Sequence, residues 1–125
     1  QNFLWGEFGG APTFEKNSTT DRFNFVFGNN TDVTESGFAG EWTSVVCVAD
    51  GSSSKMYFNN VQKGSTFTGT GDFVPFCLGA HGGMSGNSDN HHWREEVGEV
   101  IIYSKALSAS ELATLHTYLA AKWDL

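Results

Sequence analysis

The stretch from His81 to Arg94 (HGGMSGNSDNHHWR) gathers three of the chain's four histidines, and it also carries Asn87, Asp89, Asn90 and Trp93. Imidazole beside carboxylate is the donor set that zinc and other transition metals take. His81 and Asp89 are the residues such an ion would use. Against this, neighbouring His91 and His92 do not converge on one ion without a dedicated turn, and no CxxC or HExxH spacing supports them. The expectation is therefore no bound metal. The same segment suits another chemistry better. A rigid aromatic face such as Trp93 can stack on the C–H groups of a ligand, while Asn90, His91 and His92 supply amide and imidazole hydrogen bonds. These four are the candidate ligand-binding residues. The competing expectation is that Trp93 simply packs at the start of the strand that follows.

The other cluster is Glu95-Glu96-Val97-Gly98-Glu99. Glycoside hydrolysis with retention needs two carboxyl groups roughly 5–5.5 Å apart. On a strand Glu95 and Glu99 share a face, but the residue between them on that face is Val97 and not an acid. A solvated strand edge is the expected role. Neither a Ser-His-Asp arrangement nor a phosphate loop nor a redox CxxC is visible, so no catalytic residue is expected. Cys47 and Cys77 lie inside apolar runs (VVCVAD and VPFCLGA) and read as buried thiols in preference to a bridge. Asn17-Ser-Thr and Asn29-Asn-Thr match the glycosylation acceptor pattern, which is short enough to arise by chance.

What must position these residues is mostly strand. Residues 23–27 (FNFVF) alternate, with Phe23, Phe25 and Phe27 on one face. Residues 3–8, 42–49, 55–61, 67–73, 76–80 and 95–103 also read as strands. Residues 42–49 and 95–103 are apolar on both faces, as a covered, central strand requires. Asp50–Ser54 reads as a hairpin loop and Asn59-Asn60 as a turn tolerant of positive φ. Trp5 and Trp42 are expected in the core. The end of the chain is helical. Ser108-Ala-Ser-Glu111 forms a capping box with Leu107 as a hydrophobic staple, and Leu112, Leu115, Leu119 and Trp123 follow on one stripe. Short strands closed by one helix predict an all-β, antiparallel two-sheet sandwich with one short C-terminal helix.

Composition agrees. At 125 residues, with about 150 per domain as a guide, one domain spanning 1–125 is expected. Eighteen aromatic residues and fifteen glycines against two prolines suit strands and tight turns. The net charge of −7 disfavours a phosphate backbone, so nucleic acid is not an expected partner. No apolar run approaches the ~20 residues a membrane-spanning helix needs. The chain begins with Gln1, so either a leader has been removed or more sequence precedes it.

Two segments carry a family resemblance. GEVIIYSKALSASELATLHTYLAAKW, residues 98–123, resembles the closing strand and helix of concanavalin A-like, laminin-G-type jelly-roll domains, through Gly98, Glu99, the apolar 100–102, Tyr103, Ser108 and Glu111. EWTSVVCVADGSSSKMYFNNV resembles the family's central hairpin, through Trp42, Asp50, Gly51, Tyr57, Phe58 and Asn59, and Phe76–Gly79 resembles the strand after it. The resemblance covers residues 40–125 well and 1–40 loosely. It implies a jelly roll and a non-catalytic recognition or adhesion module, extracellular or on a particle surface, that binds a glycan or a protein. The alternative is a structural subunit of an assembly, such as a virion decoration or fibre protein. Family members that hydrolyse glycosides carry Glu-x-Asp-x-x-Glu, which Glu95–Glu99 does not reproduce. Related domains often hold calcium, for which Asp50, Asp72, Asn87 and Asp89 offer hard oxygen donors by analogy alone; no cofactor is otherwise expected. Domains of the family usually run longer, with strands before the point where this chain starts. The chain is thus read either as a compact variant or as a core whose open groove takes a strand from a neighbouring chain, in a homo-oligomer or donor-strand arrangement.

Overall fold

A computed structural model describes residues 2–6, 13–17, 22–27, 30–36, 40–69, 77–79, 93 and 96–125, with backbone pairing alone for the strands before residue 37 and for 77–78. The elements are β1 (Asn2–Gly6), β2 (Thr13–Asn17), β3 (Arg22–Phe27), β4 (Asn30–Ser36), β5 (Val45–Val48), β6 (Ser54–Phe58), β7 (Val61–Phe67), β8 (Cys77–Leu78) and α1 (Ala109–Trp123). They form a five-stranded sheet in the order β4-β3-β2-β1-β8 and a three-stranded sheet in the order β5-β6-β7. Every pairing is antiparallel. The sheets approach one another at β4 and β7, whose Cα atoms come within 8 Å.

The three-stranded sheet shows why its residues form strands. Val45-Val46-Cys47-Val48 is β-branched at three of four positions, and branched side chains pack well on a pleated surface. The chain then turns through a 3-10 segment, Gly51–Ser53. Ser54 locks that turn, because its hydroxyl accepts the Asp50 N–H at 3.0 Å and donates to the Gly51 carbonyl at 2.9 Å. Asn59 and Asn60 both adopt positive φ, 44° and 67°. Two such residues make the tight loop whose twist matches the flanking strands. Asn59 also closes the sheet end: its Oδ1 accepts the Ser44 N–H at 2.8 Å, and its own N–H donates to the Ser44 carbonyl at 3.1 Å. A register shift between Ser54 and Met56 accommodates extra residues in β7, where Gly64 takes φ +69°. A bulge of this kind needs the conformation glycine adopts without steric cost.

Alternation sorts the two faces of this sheet. Met56 and Phe58 are 0% and 2% exposed and pair across β5 with Cys47 and Val45. Burial of a side chain of this size stabilises by about 1.5–3 kcal/mol. Tyr57 opposes Val46 on the other face, and the imidazole of α1 residue His116 lies 5.9 Å from the Tyr57 ring. Helix α1 therefore meets the sheet on the Tyr57 face, at His116. It starts as its capping box dictates: Ser108 Oγ accepts the Glu111 N–H at 3.4 Å, and the Glu111 carboxylate accepts the Ser108 N–H at 2.8 Å. It buries Leu112, Leu115 and His116, and ends at Asp124 in the left-handed conformation.

Several expectations need correction. Residues 96–103 form no strand ladder among the described residues, although 95–103 was expected to be a central strand. Val97, Val100, Ile101, Ile102 and Tyr103 are exposed instead. Alternating β-branched residues favour extended backbone, but a strand also needs a partner edge for its N–H and C=O groups, and here this segment is tied to α1. Trp42 is 46% exposed, not in the core, because it stands before β5 begins and stacks on α1 rather than under it. Sheet strands β2, β4 and β7 were not expected over their full lengths; their Glu, Lys, Asn, Gln and Thr residues obscure the apolar alternation. The returning strand stops at Phe58 instead of 61, because Asn59-Asn60 turns the chain. The expected strand 67–73 reduces to the end of β7 at Phe67, and residues 70–76 lie outside the described residues.

Candidate functional site

Of the four candidate ligand residues, the structure describes one. Trp93 is half-buried, and its backbone N–H donates to the Gly79 carbonyl at 2.9 Å, immediately after β8. That bond pins residue 93 to the end of the five-stranded sheet. Asn90, His91 and His92 lie outside the described residues, as do His81, Asp89, Asn87, Asp72 and Glu95. Asp50 is exposed and heads the 3-10 turn. Among the described residues, no group of three or more His, Cys, Asp and Glu side chains could hold a metal ion.

Glu99 has a different place from the one expected. Its carboxylate is the centre of a cluster at the C-terminal end of α1, not a solvated strand edge. Glu99 Oε1 accepts from the Tyr118 hydroxyl at 2.9 Å and from Lys122 Nζ at 3.0 Å, and Oε2 accepts the indole N–H of Trp123 at 3.2 Å. Lys122 Nζ lies a further 2.9 Å from the Tyr118 hydroxyl and stands over both the Tyr118 and Trp123 rings. The ammonium thus combines an ion pair with two cation–π contacts. Trp123 in turn meets Trp42, ring centroids 5.2 Å apart. Donated hydrogen bonds from Lys122, then Tyr118 and Trp123, hold the Glu99 carboxyl below the usual carboxylate range. The Lys122 ammonium is raised by its bonds to Tyr118 and Glu99. Three hydrogen bonds from the helix thus engage both oxygens of the carboxylate.

Gly98 explains how the segment comes so close. A Cβ there would lie 2.6 Å from Trp123 Cη2 and 2.8 Å from Cζ3, so a side chain would displace the indole. The stripe read from the sequence included Trp123 but neither Tyr118 nor Lys122. Tyr118 and Lys122, four apart, share a face of the helix, and that pair was the available signal.

Other reactive groups are held in structural roles. Cys47 is a free thiol whose pKa is pushed up by burial. Glu111 is drawn down to about 2 by its bonds to Lys105 and to Ser108. His116 is 5% exposed, and both of its ring nitrogens lack a hydrogen-bond partner. No helix among the described residues is long and apolar enough to cross a membrane.

Comparison with known proteins adds the wider relationship. A family model, Laminin_G_3, described as the concanavalin A-like lectin/glucanases superfamily, matches residues 5–113. No curated protein and no solved structure matches the chain.

Proposed function

The chain belongs to the concanavalin A-like lectin/glucanases superfamily, and from that premise we propose that it is a non-catalytic recognition module. Its partner is a glycan or a protein on a cell or particle surface, met through segment 81–94. The observation that carries this reading is the anchoring of Trp93 on Gly79. It fixes residue 93 beside the end of β8, and loops at the ends of β-sandwiches are where such folds bind their ligands. The engagement of Glu99 with Tyr118, Lys122 and Trp123 supports binding over hydrolysis, because a general acid must be free to exchange its proton. The fold proposed with it is one domain, a jelly roll in which the two sheets stack. No cofactor is proposed.

A glycan array probed with the purified chain tests the sugar branch. The expected result is saturable binding to one sugar class, lost in the His91→Ala/His92→Ala double variant while the fold is retained. A blank array with intact folding removes the glycan version.

The exposed row Val97, Val100, Ile101, Ile102 and Tyr103 favours a second reading, a structural subunit of an assembly at a particle surface. Such a subunit would use strand exchange or self-association. Size-exclusion chromatography separates the two, since a recognition module elutes as a monomer and an assembly subunit as an oligomer.

A further inference from the structure

The buried face of helix α1 is Leu112, Leu115 and His116, and it meets the three-stranded sheet where the His116 ring lies against Tyr57. His116 is the exception on that apolar face. It is 5% exposed, its ring lies 5.9 Å from Tyr57 at an interplanar angle of 59°, and neither Nδ1 nor Nε2 has a hydrogen-bond partner. A neutral imidazole tolerates such a site at a modest cost. An imidazolium carries two donors and a charge, and without a carboxylate or water to receive them burial becomes expensive.

We infer that His116 makes the docking of α1 acid-labile, so that protonation of its imidazole releases the helix from the sheet while β5, β6 and β7 stay paired. Among the described residues, the titratable and charged groups on the surrounding elements offer no rescue. On β6 these are Tyr57, which presents a ring, and Lys55, a like charge; β5 contributes Cys47, and β7 contributes Lys63. On α1, Glu111 is engaged by Ser108 and Lys105, and Lys122 by Glu99. Glu99 spends both oxygens on Tyr118, Lys122 and Trp123. Burial also lowers the His116 pKa from its ordinary value of 6.5.

The sign follows from that direction. Above about pH 6.5 the imidazole is neutral whether α1 is docked or free, and docking is unaffected. Below it the released state takes up a proton that the docked state refuses, so docking weakens as pH falls until the lowered value is reached. With one proton taken up, the opening equilibrium rises by up to about tenfold per pH unit across this window. This behaviour is independent of what the chain binds.

Native-state hydrogen exchange on the whole chain, corrected for the intrinsic pH dependence of exchange, reads the helix and the sheet separately between pH 7.5 and 5. The expected result is loss of protection in α1 amides below about pH 6.5 with β5–β7 amides unchanged. The loss should be abolished in His116→Phe and also in His116→Gln, which keeps a polar side chain without a titration and guards against overpacking by the larger ring. The chain carries three other histidines, His81, His91 and His92, so persistence of the loss in both variants would overturn the inference. So would α1 protection that stays flat in the unaltered chain, or a loss that spreads equally to β5–β7.

Discussion

Glu99 Oε2 accepts the indole N–H of Trp123 at 3.2 Å. One carboxylate on the segment before the helix is thereby tied to the helix's last residue, and the same group also takes a phenol and an ammonium four residues apart. The closing segment and α1 are consequently one unit, clamped at the capping box and again at the far end. A carboxylate in this position acts as a structural latch.

Replacement of that carboxylate tests the latch. Glu99→Gln keeps one acceptor, but its amide nitrogen faces donors and cannot satisfy them. The expected result is a lower melting temperature and a change in tryptophan emission from the Trp42–Trp123 pair, with far-UV helix content reduced only slightly. Gly98→Ala should shift the same emission by a separate route, through the Cβ that would meet the indole. An unchanged spectrum in both variants would show that the latch does not hold in solution.

The capping box makes an independent prediction. Ser108→Ala removes the acceptor for the Glu111 N–H and should cost about 1 kcal/mol, read as a fall in the midpoint of urea unfolding at constant slope. Surface ion pairs contribute little by comparison, so Lys105→Ala should cost clearly less.

Acid should act in two separate windows. Glu99 and Glu111 have folded-state pKa values below their ordinary 4.5, Glu111 at about 2. A depressed carboxylate contributes its stability above the unfolded value and loses it as pH falls through the folded one. Melting temperature should therefore fall between pH 4.5 and 2 because of these two residues, and the double variant Glu99→Gln/Glu111→Gln should flatten that limb. The His116 effect begins at higher pH, below about 6.5, and its persistence in the double variant would distinguish the two.

The β6–β7 turn requires left-handed backbone at Asn59. Asn59→Val places a β-branched residue there and also removes the acceptor for Ser44. The backbone effect alone is worth about 1–2 kcal/mol, so unfolding at lower denaturant is expected. Asn60→Gly should be neutral or stabilising, because glycine occupies φ +67° without steric cost.

Cys47 should resist modification. Burial pushes its thiol pKa up, which suppresses the reactive thiolate. In Cys77→Ser, titration with a thiol reagent should give essentially no reaction in native buffer and one equivalent in denaturant.

Local rules within the chain determined a good deal. The Ser108–Glu111 box, the Asn59-Asn60 turn and the stripe through Leu112 and Leu115 each depend on residues a few positions apart, so spacing reveals them. The family followed from the same short-range patterns. Tertiary structure alone decided which face of α1 meets Tyr57, and with it the burial of His116. It also decided that Glu99 turns to the helix and that Trp42 stacks outside the core. These outcomes depend on contacts between residues far apart in the chain, whose cost or gain is set by what lies opposite. A carboxylate written between glycine and valine looks the same whether water or an indole receives it.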